Sequence, residues 1–162
     1  MNNRILLIAV LLVVCGAILF LWPGDEKKIR GKLATLAEYC STAQNEPVIE
    51  TMKKAAMAAK LCAVSCAVRI ESLKIDRDFS QKELNDRLLM MKKRLAGTEF
   101  NFHDTAVDID GDDRAEVTTT LRIVGKIVDE QFTDAYEIDI TAIKEDGEWR
   151  FSSFTVVEFM KK

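Results

Sequence analysis

The stretch SQKELNDRLLMMKKRLAGTEFNFHDTAVDIDGDDRAEVTTTLRIVG, residues 80–125, contains the change of periodicity that decides the fold. Before Gly97, apolar residues recur every three or four positions, as they do on one face of a helix. After Gly97 they alternate with polar residues, as they do on one face of a strand. A glycine at this point suits the end of a helix. The stretch therefore predicts a helix that is followed by a sheet.

The helix in this stretch has a strong start signal. Ser80 is a good N-cap, Glu83 stands three residues later as a capping box requires, and Phe79 can pack on Leu84 as a hydrophobic staple. The predicted buried stripe consists of Leu84, Leu88, Met91 and Leu95.

The residues after Gly97 predict an antiparallel meander. Its turns carry Asp and Gly, which favour tight hairpins. We expect the last strand to be central, because it is apolar on both faces, and Ser152-Ser153 to mark a bulge. The predicted strands cover 100–109, with an irregularity near Ala106, then 115–123, 136–142 and 149–160, and residues 126–134 are expected to be irregular.

The residues before this stretch predict two more helices and a short strand. Apolar spacing of three and four predicts a helix over 25–44 and a second one that begins at Pro47 and continues through Cys66. Residues 68–75 alternate and predict a strand. The fold class is thus α+β, with three helices on a curved antiparallel sheet.

The N-terminus predicts a membrane anchor. Ile5 to Trp22 is a run of 18 uncharged residues, about 27 Å as a helix, which matches a bilayer core. A cleaved signal peptide is not predicted, because no small-x-small cleavage site follows the apolar run. A lipoprotein with Cys15 as the lipidated residue is not predicted either, because the residue before Cys15 is not small. A helix of a soluble domain is rarely apolar on every face. We therefore predict a tail at 1–4, a transmembrane helix at 5–22 and one soluble domain at 23–162.

Charge argues against a nucleic-acid partner. The chain carries a formal charge of −3, and it lacks the Lys/Arg cluster that phosphate neutralisation requires. We expect no cofactor. We expect no metal either, because the single His103 and the cysteine spacing do not form a zinc motif.

The cysteines of the soluble part are expected to be small core residues. If the first two helices form an antiparallel hairpin that turns near Glu46, Cys40 lies level with Met52, and Cys62 lies about 15 Å further along the axis. A disulfide needs Cα atoms within about 7 Å. On this geometry the only feasible pair is Cys62–Cys66.

The order of elements resembles the nuclear transport factor 2-like (SnoaL-like) superfamily over residues 26–160. The phrases that carry the resemblance are the helix SQKELNDRLLMMKKRL, the hairpin VDIDGDDRAEVTTTLRIVG and the closing pair YEIDITAIKEDGEWRFSSFTVVE. The resemblance implies a cone enclosed by helices and sheet. Together with the anchor, it is also similar to small bacterial envelope proteins whose domain faces the periplasm.

Enzymes of that superfamily place an acid/base pair in the cone, where burial beside an apolar substrate tunes its pKa. The candidates in this chain are His103 and Asp104, followed by Tyr136, Asp139 and Tyr39. Strand alternation puts Asp104 on the face of Phe100 and Phe102. No motif fixes a pair, so the structural interpretation of His103-Asp104 is an exposed strand edge or a turn-forming pair.

The acidic run VDIDGDD, residues 107–113, does not predict a calcium loop. Counted from Asp108, the positions that need a glycine and a bidentate acid are Asp113 and Thr119. A solvated hairpin turn accounts for the run.

The orientation of the domain is open at this stage. Lys27, Lys28, Arg30 and Lys32 outnumber Arg4, which favours a cytoplasmic domain by the positive-inside rule. The envelope resemblance instead implies an inner-membrane protein with a periplasmic domain. Two functions follow. One is a non-catalytic envelope domain that binds a protein, a second copy of itself or a small apolar ligand. The other is a membrane-tethered isomerase, dehydratase or hydrolase that acts on a lipid-derived substrate.

Overall fold

The computed structural model describes residues 24–127 and 130–160. The predicted anchor at 5–22 lies outside these ranges. Within them, no helix has the length and apolar character needed to cross a bilayer.

Three helices are present in the described part. They are α1 (Asp25–Cys40), α2 (Val48–Lys60) and α3 (Gln81–Arg94). The capping box that begins α3 is confirmed: the Ser80 hydroxyl accepts from the Glu83 backbone N–H, and the Glu83 carboxylate accepts from the Ser80 backbone N–H. Helix α1 ends four residues earlier than expected, because Ser41 is already extended.

The second predicted helix is wrong beyond Lys60. Cys62 and Cys66 lie on a strand, β1 (Cys62–Ile70), which follows α2 after a single residue. A short 3-10 turn, Glu71–Leu73, and Lys74 in the left-handed region then lead into β2 (Ile75–Ser80). The predicted strand over 68–75 thus spans the end of one strand and the hairpin to the next.

The four remaining strands form the predicted meander. They are β3 (Glu99–Asp110), β4 (Arg114–Ile127), β5 (Glu130–Glu145) and β6 (Glu148–Met160). The expected irregular segment over 126–134 is wrong, since β4 and β5 pair up to Ile127 and from Glu130.

The six strands form one sheet in the order β2-β1-β6-β5-β4-β3. All neighbours are antiparallel except β1 and β6, which are parallel. The final strand therefore lies inside the sheet, as its two apolar faces predicted. The bulge at Ser152 is also confirmed, because Thr141 pairs with Ser153 and Ala142 pairs with Phe151.

The core lies between α1 and the meander. Ile29 and Leu33 of α1 are buried against Ile140, Trp149 and Phe151 of the sheet. Helix α2 packs on α1 and α3, and α3 packs on β1 and β2. The helices thus cover one side of the sheet but leave space between α3 and the meander.

Candidate functional site: an apolar cone between helices and sheet

A cavity of about 200 Å³ lies between the helices and the sheet. We call it the cone cavity. Helix α1, helix α3 and the meander each provide one wall. Ala58 of α2 and Cys62 of β1 also line the cavity. The wall residues are Leu36, Ala37 and Cys40 of α1, Leu84, Leu88 and Met91 of α3, and Phe100, Phe102, Leu121, Ile138 and Phe154 of the sheet.

Only carbon and sulfur atoms form the surface of the cone cavity. Three of the four residues of the predicted α3 stripe, Leu84, Leu88 and Met91, contribute to it. A site of this kind can bury an apolar molecule, but it offers no side-chain donor, acceptor or charge. An apolar cavity of roughly 150 Å³ binds benzene, so this cavity has room for about eight non-hydrogen atoms.

The two thiols of the cone are neutral at physiological pH. Burial raises the pKa of Cys40 to about 11. A hydrogen bond with the Cys66 thiol, followed by burial, raises the pKa of Cys62 still further. Neither thiol is therefore a thiolate nucleophile, and both behave as small apolar groups.

His103 and Asp104 do not reach the cone. Both are exposed. The β3–β4 register shifts between His103 and Ala106, and Asp104 takes a left-handed conformation with φ of 50°. This bulge breaks the alternation that would have put Asp104 beside Phe102, so the expected shared face is wrong. The irregularity predicted near Ala106 is confirmed.

The other acid/base candidates are also outside the cone lining. Asp139 is exposed and accepts a hydrogen bond from the Thr118 hydroxyl. Tyr39 and Tyr136 pack at the edge of the core, and burial, followed by the charge of Asp134, raises the pKa of Tyr136. Because neither tyrosine lines the cavity, the structure brings none of these groups together at a buried apolar site.

The disulfide argument rested on a helix that the structure does not contain. Cys40, Cys62 and Cys66 are free thiols. Cys40 and Cys62 line the same cavity. The expectation that the two residues lie far apart along a helix hairpin is therefore wrong. Cys62–Cys66 is the one feasible pair on that helix geometry, and no bond between them is predicted. Among the described residues, no group of three His, Cys, Asp or Glu side chains could hold a metal.

A buried lysine that the sequence analysis overlooked, Lys92, binds the backbone at the C-terminal end of α1. The Lys92 side chain is fully buried, and its Nζ donates to the backbone carbonyls of Tyr39 and Ser41 at 2.9 and 2.7 Å. Glu46 lies 3.6 Å from the same nitrogen. The ammonium thus satisfies carbonyls that a helix C-terminus leaves free. Burial lowers the pKa of Lys92, and Glu46 opposes that shift.

A second, larger space adjoins the cone cavity across α3. This outer groove has a volume of about 580 Å³ and lies between the β1–β2 hairpin and α3. Leu84, Leu88 and Met91 line both spaces. Most residues that line the groove are apolar, and the charged ones are Lys74, Asp76, Arg77 and Arg87.

The sequence matches no protein-family model and no curated protein. Solved structures show the fold. A Kribbella flavida protein is similar with a TM-score of 0.68 and 14% identity, covering 84% of this chain and 93% of that one. A Novosphingobium aromaticivorans protein provisionally named a scytalone dehydratase has a TM-score of 0.65 and 14% identity, covering 85% of each chain.

A further Novosphingobium aromaticivorans structure is described as an NTF2-like protein with a cystatin-like fold. It has a TM-score of 0.64 and 10% identity, covering 91% of this chain and 88% of that one. The described domain therefore has the nuclear transport factor 2-like, cystatin-like fold, as the order of its elements predicted. Identities this low carry no residue of a relative's site over to this chain.

Proposed function

We propose that this domain binds a small apolar molecule in the cone cavity and does not transform it. The observation that carries the proposal is the composition of the cavity wall, which exposes carbon and sulfur alone. Each buried methylene contributes about 0.8 kcal/mol to binding. A cavity of this chemistry selects by size and shape, because it has no polar group with which to orient a substrate.

The alternative is an isomerase, dehydratase or hydrolase, and the residues that line the cone do not supply the general acid or base that such an enzyme needs. A general acid or base must come within about 3 Å of the proton that it transfers, directly or through one water. His103 and Asp104 are exposed, on the bulge of β3, and none of the thirteen residues that line the cone is titratable at neutral pH. One similar structure carries the name of a dehydratase, but the residues that line the cone of this chain include no acid/base pair.

The hydrophobic segment 5–22 supports a tether, and we propose an inner-membrane protein whose domain faces the periplasm. The envelope resemblance favours export, and the count of Lys and Arg opposes it. Reporter fusions after Lys162 test this part alone. Activity of a periplasm-dependent reporter is expected, and fluorescence of a cytoplasm-only reporter without it would refute export.

A protein contact has one observation in its favour. At the start of α2, Val48, Ile49 and Met52 are 72%, 80% and 53% exposed. Clustered apolar exposure of this kind marks interaction surfaces. Ile49→Ser should then reduce the amount of dimer, or of captured envelope partner, without affecting ligand binding in the cone. Light scattering of the full chain measures the amount of dimer.

Methyl NMR of the full chain tests the cone. The chain has six methionines, of which Met91 lines the cone while Met57 and Met90 are exposed. With ¹³C-methyl methionine in zwitterionic lipid nanodiscs, benzene is expected to move the Met91 signal to saturation and to leave Met57 and Met90 in place.

Ala58→Leu fills the cone and should abolish that shift. Ala58 is fully buried and lines the cavity, so the new side chain has space to occupy. Unchanged Met57 and Met90 signals show that the variant is folded, and Cys40→Leu is a second filling variant. Benzene binding that persists in both variants would refute the cone as the site.

A further inference from the structure

We propose that the ligand is a medium-chain fatty acid, whose tail occupies the cone cavity and whose carboxylate lies in the outer groove between Lys74 and Arg87. This inference rests on the proposed binding function and names the class of molecule bound. Three observations carry it: the size of the cone, the shared wall of the two spaces and the net positive charge around the groove.

The cone cavity alone is small for a complete ligand. Pockets that bury most of a small molecule usually have volumes of about 300–1,000 Å³. The cone has about 200 Å³, whereas the outer groove has about 580 Å³. A molecule that uses both spaces must be elongated, with a purely apolar end of about eight non-hydrogen atoms.

The wall between the two spaces consists of side chains that can yield. Leu84, Leu88 and Met91 line both the cone and the groove. Methionine has an unbranched, flexible side chain and adapts to irregular neighbours. A chain that lies in the groove can therefore pass this layer and place its end among the cone residues.

The charges around the groove favour an anionic head. Asp76, the acid among the lining residues, is paired with Arg69 at 3.2 Å. Arg77 is paired with Glu83 at 3.3 Å and lies over the Phe79 ring. These two groups are therefore already compensated.

Lys74 and Arg87 are different. Both line the groove and are exposed, and neither side chain has a hydrogen bond or a close ion pair with another of the described residues. Lys74 lies at the hairpin with φ of 53°. Arg87, on α3, has a longer-range electrostatic interaction with Glu83, a carboxylate that already binds Arg77. The groove therefore keeps net positive charge beside its apolar lining, which complements a single anionic group, and a guanidinium suits the planar geometry of a carboxylate.

The test compares decanoate with decanol, which has the same chain length and no charge. Both are titrated below their aggregation limits into the full chain in zwitterionic nanodiscs, with empty nanodiscs as the partition control. The Met91 methyl reports binding, and Met57 and Met90 are internal controls. We expect decanoate to bind about tenfold more tightly than decanol, because two exposed ion pairs together contribute about that factor.

The variant Lys74→Gln/Arg87→Gln should remove this preference and leave decanol binding unchanged. The matched control is Lys82→Gln/Lys93→Gln, which removes two exposed cations of α3 that do not line the groove. The control should keep the tenfold preference, since bulk charge is the same in the two double variants.

The outcomes separate the two proposals. Suppose that benzene moves the Met91 signal but decanoate binds no better than decanol, or that the preference for decanoate over decanol survives in Lys74→Gln/Arg87→Gln. Either result overturns the fatty-acid inference and leaves the cone function standing. If benzene, decanol and decanoate all leave Met91 in place, both proposals fall.

Discussion

Replacement of Trp149 tests the packing on which the whole domain depends. Trp149 is the second residue of β6, just after the Asp146-Gly147 hairpin, and is only 2% exposed. Its ring contacts the core cluster, and the Lys144 ammonium lies 4.9 Å from the ring centroid. A buried tryptophan removes about 150–250 Å² from water, which at about 25 cal/mol per Å² corresponds to roughly 4–6 kcal/mol as an upper estimate.

Trp149→Ala should therefore lower the free energy of unfolding by about 3–5 kcal/mol. Trp149→Phe should cost less than Trp149→Ala, because phenylalanine fills most of the same space. The indole nitrogen is buried and lies near the Asp25 carboxylate, but outside strict hydrogen-bond geometry. Removing that N–H relieves part of the desolvation penalty of a buried donor, about 1–3 kcal/mol, and it also removes a favourable interaction with the Asp25 carboxylate.

The assay is urea unfolding of residues 24–162, followed by circular dichroism so that the loss of the fluorophore does not matter. The order expected is wild type, then Trp149→Phe, then Trp149→Ala. A loss below about 1 kcal/mol for Trp149→Ala would refute the packing described here, because a core tryptophan cannot be truncated so cheaply.

Three further changes can be measured in the same way. Ser80→Ala removes the cap of α3 and should cost about 1 kcal/mol, whereas Ser80→Gly should cost only a few tenths. His103→Ala should change stability by less than about 0.5 kcal/mol, because the side chain is exposed; a loss as large as that of Trp149→Ala would restore a buried, partnered histidine. The Lys144 hydrogen bond, followed by the Trp149 indole, lowers the pKa of Asp25 to about 2, so this carboxylate stabilises the fold above its unfolded pKa and loses that contribution as pH falls through about 2. Lys144→Met should thus destabilise more at pH 6 than at pH 2, and equal losses at both values would contradict the ion pair.

Much of the fold could be predicted because local signals agreed with one another. The capping box at Ser80, the period change at Gly97 and the Asp-Gly turns each indicate a boundary without reference to distant residues. Trp149 followed from the same reasoning, since the hairpin fixes which strand it begins.

The error at Cys62 and Cys66 has a simple geometric reason. Residues four apart share a face in a helix and also share a face in a strand, because four is an even number of residues. The apolar spacing therefore could not distinguish the two. The strand is stabilised by its hairpin with β2 and by its pairing with β6, which is distant along the chain.

The candidate site was only partly predictable. The α3 stripe identified Leu84, Leu88 and Met91 correctly, but Asp104 was misplaced because an inserted residue at a bulge reverses the alternation after it. The pairing of Asp76 with Arg69, which leaves Lys74 uncompensated, depends on the β1–β2 register and has no signature in sequence.

The position of β6 has a consequence for the order of events during synthesis. Among the described strands, the β1–β2 hairpin joins the rest of the sheet only through β6, which is the last of them along the chain. While the ribosome still holds this strand, the hairpin and the β3–β5 meander are two separate pieces with open edges. Such edges invite wrong pairing. The domain should therefore complete its sheet only after its C-terminal strand has emerged, in one late and cooperative step.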